Sequence, residues 1–380
     1  MDPITAVTHA DPYPYYACLR ARAGLVFDPG LGLWLASSAA AVAAVLAHPE
    51  CRVRPPHEPV PRAIAHGAAG RVFARLMRMN DGERQRCPRA AIEPGLQQVH
   101  GEEIGQRVTA LLPGLPNDLG ARLQHCQFRL PVAVVAGLLG FSAQQLPAIA
   151  ERVADFVACL SPASSQAQLD AAHRAAEQLS RDFTALLGQT PGSPLLQRIV
   201  KGFGAEDRDT LIANLIGLLS QTFEASAGLI GNSLCALLKD RHLLAELRAA
   251  PSRVDELLAE VQRHDPPVQN TRRFVVAPCT VAGVSLEPGD GVLVLLAAAN
   301  RDPQLNPEPD RLLLDRQARR SVSFGSGRHQ CPGQALALSI ASAVVGALVR
   351  HSNLEQPLGW TYKPSLNGRI PLFHPLPESR

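Results

Sequence analysis

Residues 324–333 read Phe324-Gly325-Ser326-Gly327-Arg328-His329-Gln330-Cys331-Pro332-Gly333. The run is a glycine-rich loop entering a helix, with one cysteine at the junction. Pro332 suits a first helical turn, where a missing N–H costs nothing. The helix N-terminus places free N–H groups and partial positive charge beside the sulfur. That setting lowers a thiol pKa and favours thiolate. Gly325, Gly327 and Gly333 let the backbone approach a large flat partner closely. Taken alone, Cys331 also fits a buried cysteine beside a turn.

Around this loop stands a chain of 380 residues, 46% apolar and 19% charged. Such a chain buries a sizeable core, which excludes disorder for most of it. With 4% aromatics and a net charge of +3, a base-stacking or strongly basic nucleic-acid surface is excluded. The eight cysteines are scattered without a CxxC pair. A zinc ribbon or dithiol centre is therefore not expected. Free thiols point to a reducing, cytoplasmic setting. The first residues lack the basic and apolar regions of a signal peptide. No run of about 18 uncharged apolar residues predicts a membrane span. Without repeats or linker-like stretches, one domain over residues 1–380 is expected.

Local patterns predict two short strands in 24–37 and a helix over 38–47. The Pro-rich stretch 52–61 reads as a loop. Residues 118–187 read as helices with breaks at Gly140 and Pro162. The longest helical signal spans 207–239, is apolar on nearly every face, and would be on the order of 45 Å long. A helix apolar all round crosses the middle of a large fold. Another helix covers 254–264 and ends at Pro266-Pro267. Cys279–Leu286 and Gly291–Asn300 read as β segments about a Glu-Pro-Gly-Asp turn. Residues 303–316 read as irregular. A helix follows Gly333 to Arg350, and strands occupy 358–375. The class is mainly α with small β-sheets near both ends.

The pattern Phe-Gly-x-Gly-x-His-x-Cys-x-Gly over 324–333 resembles the haem-binding loop of the cytochromes P450. The resemblance implies Cys331 as the thiolate ligand of a haem iron. It also implies His329 on a haem propionate, Phe324 beside the thiolate, and Gly325 and Gly333 in the cradle. Glu260-Val261-Gln262-Arg263 resembles the family's E-x-x-R motif, whose i and i+3 residues share a helix face. Asn306–Arg311 resembles the Pro-rich segment that adds a third member. A structural triad of Glu260, Arg263 and Arg311 follows from it. In Pro267–Arg273 the family places a propionate contact, best aligned with Arg273 and next with Arg272. Asn80–Arg89 lies where the family has Pro-Pro-Glu-His-x-x-Leu-Arg. Arg84 holds the His position and is the implied propionate contact, while Pro88 holds the usual Arg position beside Arg86 and Arg89.

The central helix departs from the family's Ala-Gly-x-Asp/Glu-Thr. It has Gln221-Thr222-Phe223-Glu224-Ala225, then Ser226. Gln221, Thr222 and Ser226 would form a polar strip that delivers protons or holds a polar substrate group. The alternative is that Ser226 back-bonds to the carbonyl of Thr222. Glu224 is expected to be functional, because an unpaired acid in an apolar helix is costly.

The resemblance implies a triangular prism with haem b buried between the central helix and the Cys-loop helix. It implies a monooxygenase using O2 and two electrons that pass from NAD(P)H through a separate ferredoxin or flavodoxin with its reductase. Arg84, Arg86 and Arg89 would offer that partner a basic surface. The expected substrate is a small organic molecule of terpenoid or polyketide type. No nucleic-acid or membrane partner is expected, and the protein would be a monomer. By analogy, the pocket would be lined by 55–61, 218–223, 275–277 and Leu372–Phe373. Because the usual Thr is Ala225, peroxide use, C–C or C–N coupling, desaturation and substrate-assisted chemistry are alternatives. A non-catalytic haem sensor or carrier is a further one.

Overall fold

The computed structural model describes residues 1–22, 24–161, 163–189, 192–203 and 207–376. Its helices are α1 (Tyr13–Arg20), α2 (Ala39–Ala47), α3 (Ala68–Arg75), α4 (Glu83–Gln97), α5 (Gly101–Leu111), α6 (Leu119–Leu139) and α7 (Leu146–Ala158). They continue as α8 (Gln166–Leu187), α9 (Pro194–Phe203), α10 (Arg208–Lys239), α11 (Arg241–Ala249), α12 (Val254–His264), α13 (Leu296–Asn300) and α14 (Gln334–His351). The strands are β1 (Leu25–Asp28), β2 (Leu33–Ala36), β3 (Cys51–Arg52), β4 (Thr271–Val275), β5 (Cys279–Val281), β6 (Val284–Leu286), β7 (Gly291–Val294), β8 (Leu358–Tyr362) and β9 (Pro371–Pro375).

The central helix forms as the pattern predicts. Asp207 caps α10, its carboxylate accepting from Thr210 N at 2.9 Å. That satisfies one of the open N–H groups at the helix start. The helix packs against α3, α6, α7, α12 and α14. A Cβ at Gly228 would stand 2.5 Å from Pro267 Cβ, so a side chain there would push the chain after α12 off the helix. Gln127 of α6 donates to the carbonyls of Ala227 and Pro371 at 3.2 and 3.0 Å. In this way α6, α10 and β9 are fixed together.

Strands β1, β2, β7, β4 and β3 form one sheet in that order, with β2 parallel to β7 and the other pairs antiparallel. The N-terminal strands therefore join strands from residues 271–294, where a separate sheet near each end was expected. Two further differences concern the β segments. Cys279–Leu286 is a complete hairpin, β5–β6, turning at Ala282 and Gly283 with φ of 49° and 80°. Residues 296–300 are the helix α13, because Leu-Ala-Ala-Ala-Asn has strong helix propensity and follows the last ladder position of β7. Gly140 ends α6 with φ 111°. The break expected at Pro162 lies outside the described residues. Helix α14 has the length and composition of a membrane-crossing helix, with half of it buried inside the protein, where it packs on α5, α10 and α12.

Two buried charge clusters tie distant segments of the chain together. In the first, Glu260 is fully buried and receives Arg263 Nη2 at 2.7 Å, Arg316 Nε at 3.0 Å and Arg319 Nε at 2.9 Å. The backbone N–H of Leu313 adds a bond at 3.1 Å. Burial alone would raise the Glu260 carboxyl, but its bond to Arg263 and the surrounding cations hold it below the usual range. Arg311 is a correction: its side chain pairs with Glu308 at the surface, and only its carbonyl takes part, accepting from Arg263 at 3.0 Å. The chain turns sharply at Glu308, with φ 45°. Arg311 is left pointing outward, and Arg316 and Arg319 return to Glu260.

The second cluster centres on Arg369. Its Nε donates to Asp265 at 2.8 Å, and its other nitrogens donate to the carbonyls of Val7, His9 and Ala10. Its guanidinium also stacks 3.7 Å from the Tyr362 ring centroid. Asp265 accepts from Tyr13 as well, at 2.5 Å.

Candidate active site

A cavity of about 910 Å³ lies between α10 and the loop 323–333. Cys331, Pro332 and Gly333 line one side, and residues 220–226 of α10 line the other. A smaller cavity of about 360 Å³ adjoins it and shares Arg78, Arg273, His329 and Cys331.

The Cys331 loop is held by its own backbone. Cys331 N donates to Phe324 O at 2.8 Å, and Gln330 N to Gly327 O at 3.0 Å. Gly325 takes φ +71°, and a Cβ there would stand 3.3 Å from His329 O. Phe324, Gly325 and Gly333 border the cavity beside the sulfur. Helix α14 begins only at Gln334. Of its free N–H groups, the one bond that bears on the thiol comes from Gly333. Burial therefore wins, and the Cys331 thiol is pushed up where the sequence pattern suggested a lowered value.

Arg273 is buried on β4 and faces both cavities, while Arg272 beside it is exposed, since strand neighbours point to opposite faces. Arg273 Nη1 donates to Arg272 O at 2.8 Å and makes no ion pair among the described residues. His329 also lines both cavities, and its Nε2 meets Asp81 Oδ1 at 2.8 Å. Arg84 is exposed and lines neither cavity, which corrects its expected role. Helix α4 starts at Glu83 and turns Gln85 and Pro88 inward, leaving Arg84 and Arg86 on the outer face. Gln85 and Arg89 reach the Cys loop instead, donating to the carbonyl of Arg328 at 2.8 and 3.2 Å.

On α10, Glu224 is not unpaired. Lys363, from the loop between β8 and β9, meets it at 2.7 Å, with each side chain 36% exposed. Thr222 back-bonds to Leu218 O at 2.8 Å, and Gln221 to Gly217 O at 3.0 Å. Ser226 is buried, lines the cavity and has no hydrogen bond among the described residues. The back-bond weighed for Ser226 belongs to Thr222. The cavity wall includes Pro61 and residues 363–367. Neither 275–277 nor Leu372–Phe373 reaches it, since Val275 and Phe373 are packed in the core.

Three residues escaped the sequence reading: Arg78, Asp81 and Lys363. Arg78 carried a signal, a lone charge in the run Leu76-Met77-Arg78-Met79. Lys363 carried another, as one of three lysines in the chain.

A single thiol on one side, a long apolar helix on the other, and the buried Arg273 guanidinium at the rim suit a flat metal cofactor that carries carboxylates. This donor set fits haem. The comparisons agree. The family model "Cytochrome P450" matches residues 252–377. Cytochrome P450 monooxygenase PikC of Streptomyces venezuelae is 31% identical over 90% of this chain and 83% of its own length. The 20-oxo-5-O-mycaminosyltylactone 23-monooxygenase of Streptomyces fradiae is 29% identical over 93% and 86%. Among solved structures, P450BioI in complex with a fatty-acid-ligated acyl carrier protein superposes with TM-score 0.82 at 24% identity, over 95% of this chain and 97% of that one. Ligand-free CYP164A2 of Mycobacterium smegmatis gives 0.77 at 27%, over 98% and 97%. The chain belongs to the cytochrome P450 family, has its fold, and is an oxidoreductase of the P450 monooxygenase type. The family implies a haem iron.

Proposed function

We propose that the protein oxidises a small secondary metabolite, with electrons delivered by a separate ferredoxin or flavodoxin. The observation that carries this reading is the free Cys331 thiol facing a cavity of about 910 Å³ beneath an apolar helix. Haem, when bound, supplies the oxygen chemistry, and Cys331 would hold its iron as thiolate. Arg273 and His329 would hold its carboxylates. The Phe324 and Gly327 carbonyls fix the loop, so the sulfur position does not depend on the substrate.

The substrate would sit against Leu218, Phe223, Leu229, Val135, Val157 and Leu366, a wall that selects apolar bodies. Ala225 offers that space only a methyl group. Ser226 has an open hydroxyl in the next position, and Glu224 and its partner Lys363 both border the cavity. Glu224 would take protons from outside, and Ser226 would pass them inward. The methyl at Ala225 also favours a second reading, in which the substrate's own hydroxyl completes the relay. Exposed Arg84 and Arg86 on α4 would steer an acidic electron donor to the Cys331 side.

The test is the spectrum of the dithionite-reduced protein with carbon monoxide. A strongly red-shifted Soret band that disappears in Cys331→Ala is expected. A Soret band at the position of neutral thiol or His ligation overturns the reading. Ala225→Thr separates the two proton routes: unchanged product per NADPH means that the methyl does not limit the reaction.

A further inference from the structure

Arg78 stands in the tight turn Met77–Met79 between α3 and α4. Its guanidinium makes no hydrogen bond to any described residue, and its Nε is sealed from solvent without a partner. The side chain borders both cavities. Glu224 is the carboxylate whose charge acts on it, but Glu224 is already held by Lys363. Burial pulls Arg78 down to about 10, which still leaves it a cation at neutral pH.

A guanidinium has five N–H donors and no means of shedding its proton near neutrality. Buried polar groups in folded proteins are otherwise bonded. The fold offers Arg78 no acceptor, so the missing partner is a ligand anion. Position says which one. Arg78 shares its two cavities with Arg273 and His329, and Cys331 borders both. Two guanidiniums, half-buried Arg78 and buried Arg273, thus face this space with no protein carboxylate paired to them among the described residues. Haem brings two carboxylates.

We propose that Arg78 binds a haem propionate, the task for which the resemblance pointed to Arg84. The assignment rests on the haem reading above. Arg78 would offer its planar fork to both oxygens of one propionate. Arg273 would take the other, with His329 beside it.

The experiment measures haem transfer from holoprotein to excess apomyoglobin. It uses native haem and haem dimethyl ester, whose propionates are blocked, in the wild type, Arg78→Gln, Arg78→Lys and Arg84→Gln. Arg78→Gln is expected to release native haem about tenfold faster, the scale of one charged hydrogen bond. Arg78→Lys should fall between it and the wild type, and Arg84→Gln should match the wild type. With the dimethyl ester, wild type and Arg78→Gln should release at the same rate. Equal retention of native haem by the wild type and Arg78→Gln would overturn the assignment. So would the same acceleration with the ester, because that is a packing effect or a substrate site. A wild type that takes up no haem would instead overturn the reading on which the assignment rests.

Discussion

On α12 and just before β9, and at the rim of the cavity, the chain treats its enclosed guanidiniums in opposite ways. Arg263 and Arg369 are almost fully enclosed, and each meets a carboxylate and several carbonyls. Arg273 has one strong backbone acceptor, and Arg78 has none. Desolvating a charge is unfavourable everywhere, so the two regions divide the labour. Where the protein supplies the anion, the charge locks backbone segments together. Where it does not, we propose that the charge serves a ligand. Charge alone does not separate the fold-forming arginines from those proposed for the cofactor; the count of acceptors does.

The sharpest way to break this comparison is to remove the charge in each region. Arg263→Ala leaves Glu260 with a gap in its cluster and orphans the carbonyl of Pro309. A loss of about 3–5 kcal/mol is expected, read by urea denaturation of the haem-free protein. Arg273→Gln should behave the other way. The haem-free form should be no less stable than wild type, because an unpaired buried charge has gone, while holoprotein loses haem about tenfold faster. If Arg273→Gln unfolds the haem-free protein as Arg263→Ala does, the two regions are not different in kind.

The smallest effect concerns acid. His264 accepts from Arg301 at its Nδ1, 3.1 Å away, and meets Asp310 O through Nε2. Burial, then the charge of Arg301, holds it down to about 4, below its ordinary 6.5. The unfolded chain therefore takes up this proton first as pH falls. The contribution is fully present above pH 6.5 and is lost progressively towards pH 4. His264→Gln should flatten that window, moving the difference in Tm between pH 7 and pH 5 by ~3 °C. An unchanged pH profile would place the acid sensitivity elsewhere.

Local chemistry was readable in advance; pairings across the chain were not. The Cys331 loop and the Glu260–Arg263 pair are short-range patterns, and helix α10 announces itself by an unbroken apolar run. Arg311 was misplaced because no periodicity governs the irregular path from Pro307 to Arg319. Arg84 was misplaced because motif alignment ignores which face of α4 turns inward. The partner of Glu224 lies 139 residues away, and nothing near Glu224 in sequence hints at Lys363. Likewise, the lowered thiol expected at Cys331 neglected burial, which only the assembled cavity supplies.

Arg369 also sets a clock. It binds the carbonyl of Val7, 362 residues earlier, so this contact cannot close until residue 369 has been made. At about 5–20 residues per second, the segment around Val7 waits on the order of 20–70 s for this partner after it is made. For most of that interval Tyr13, a residue of the finished core, also lacks the Asp265 and Arg301 that meet it in the fold.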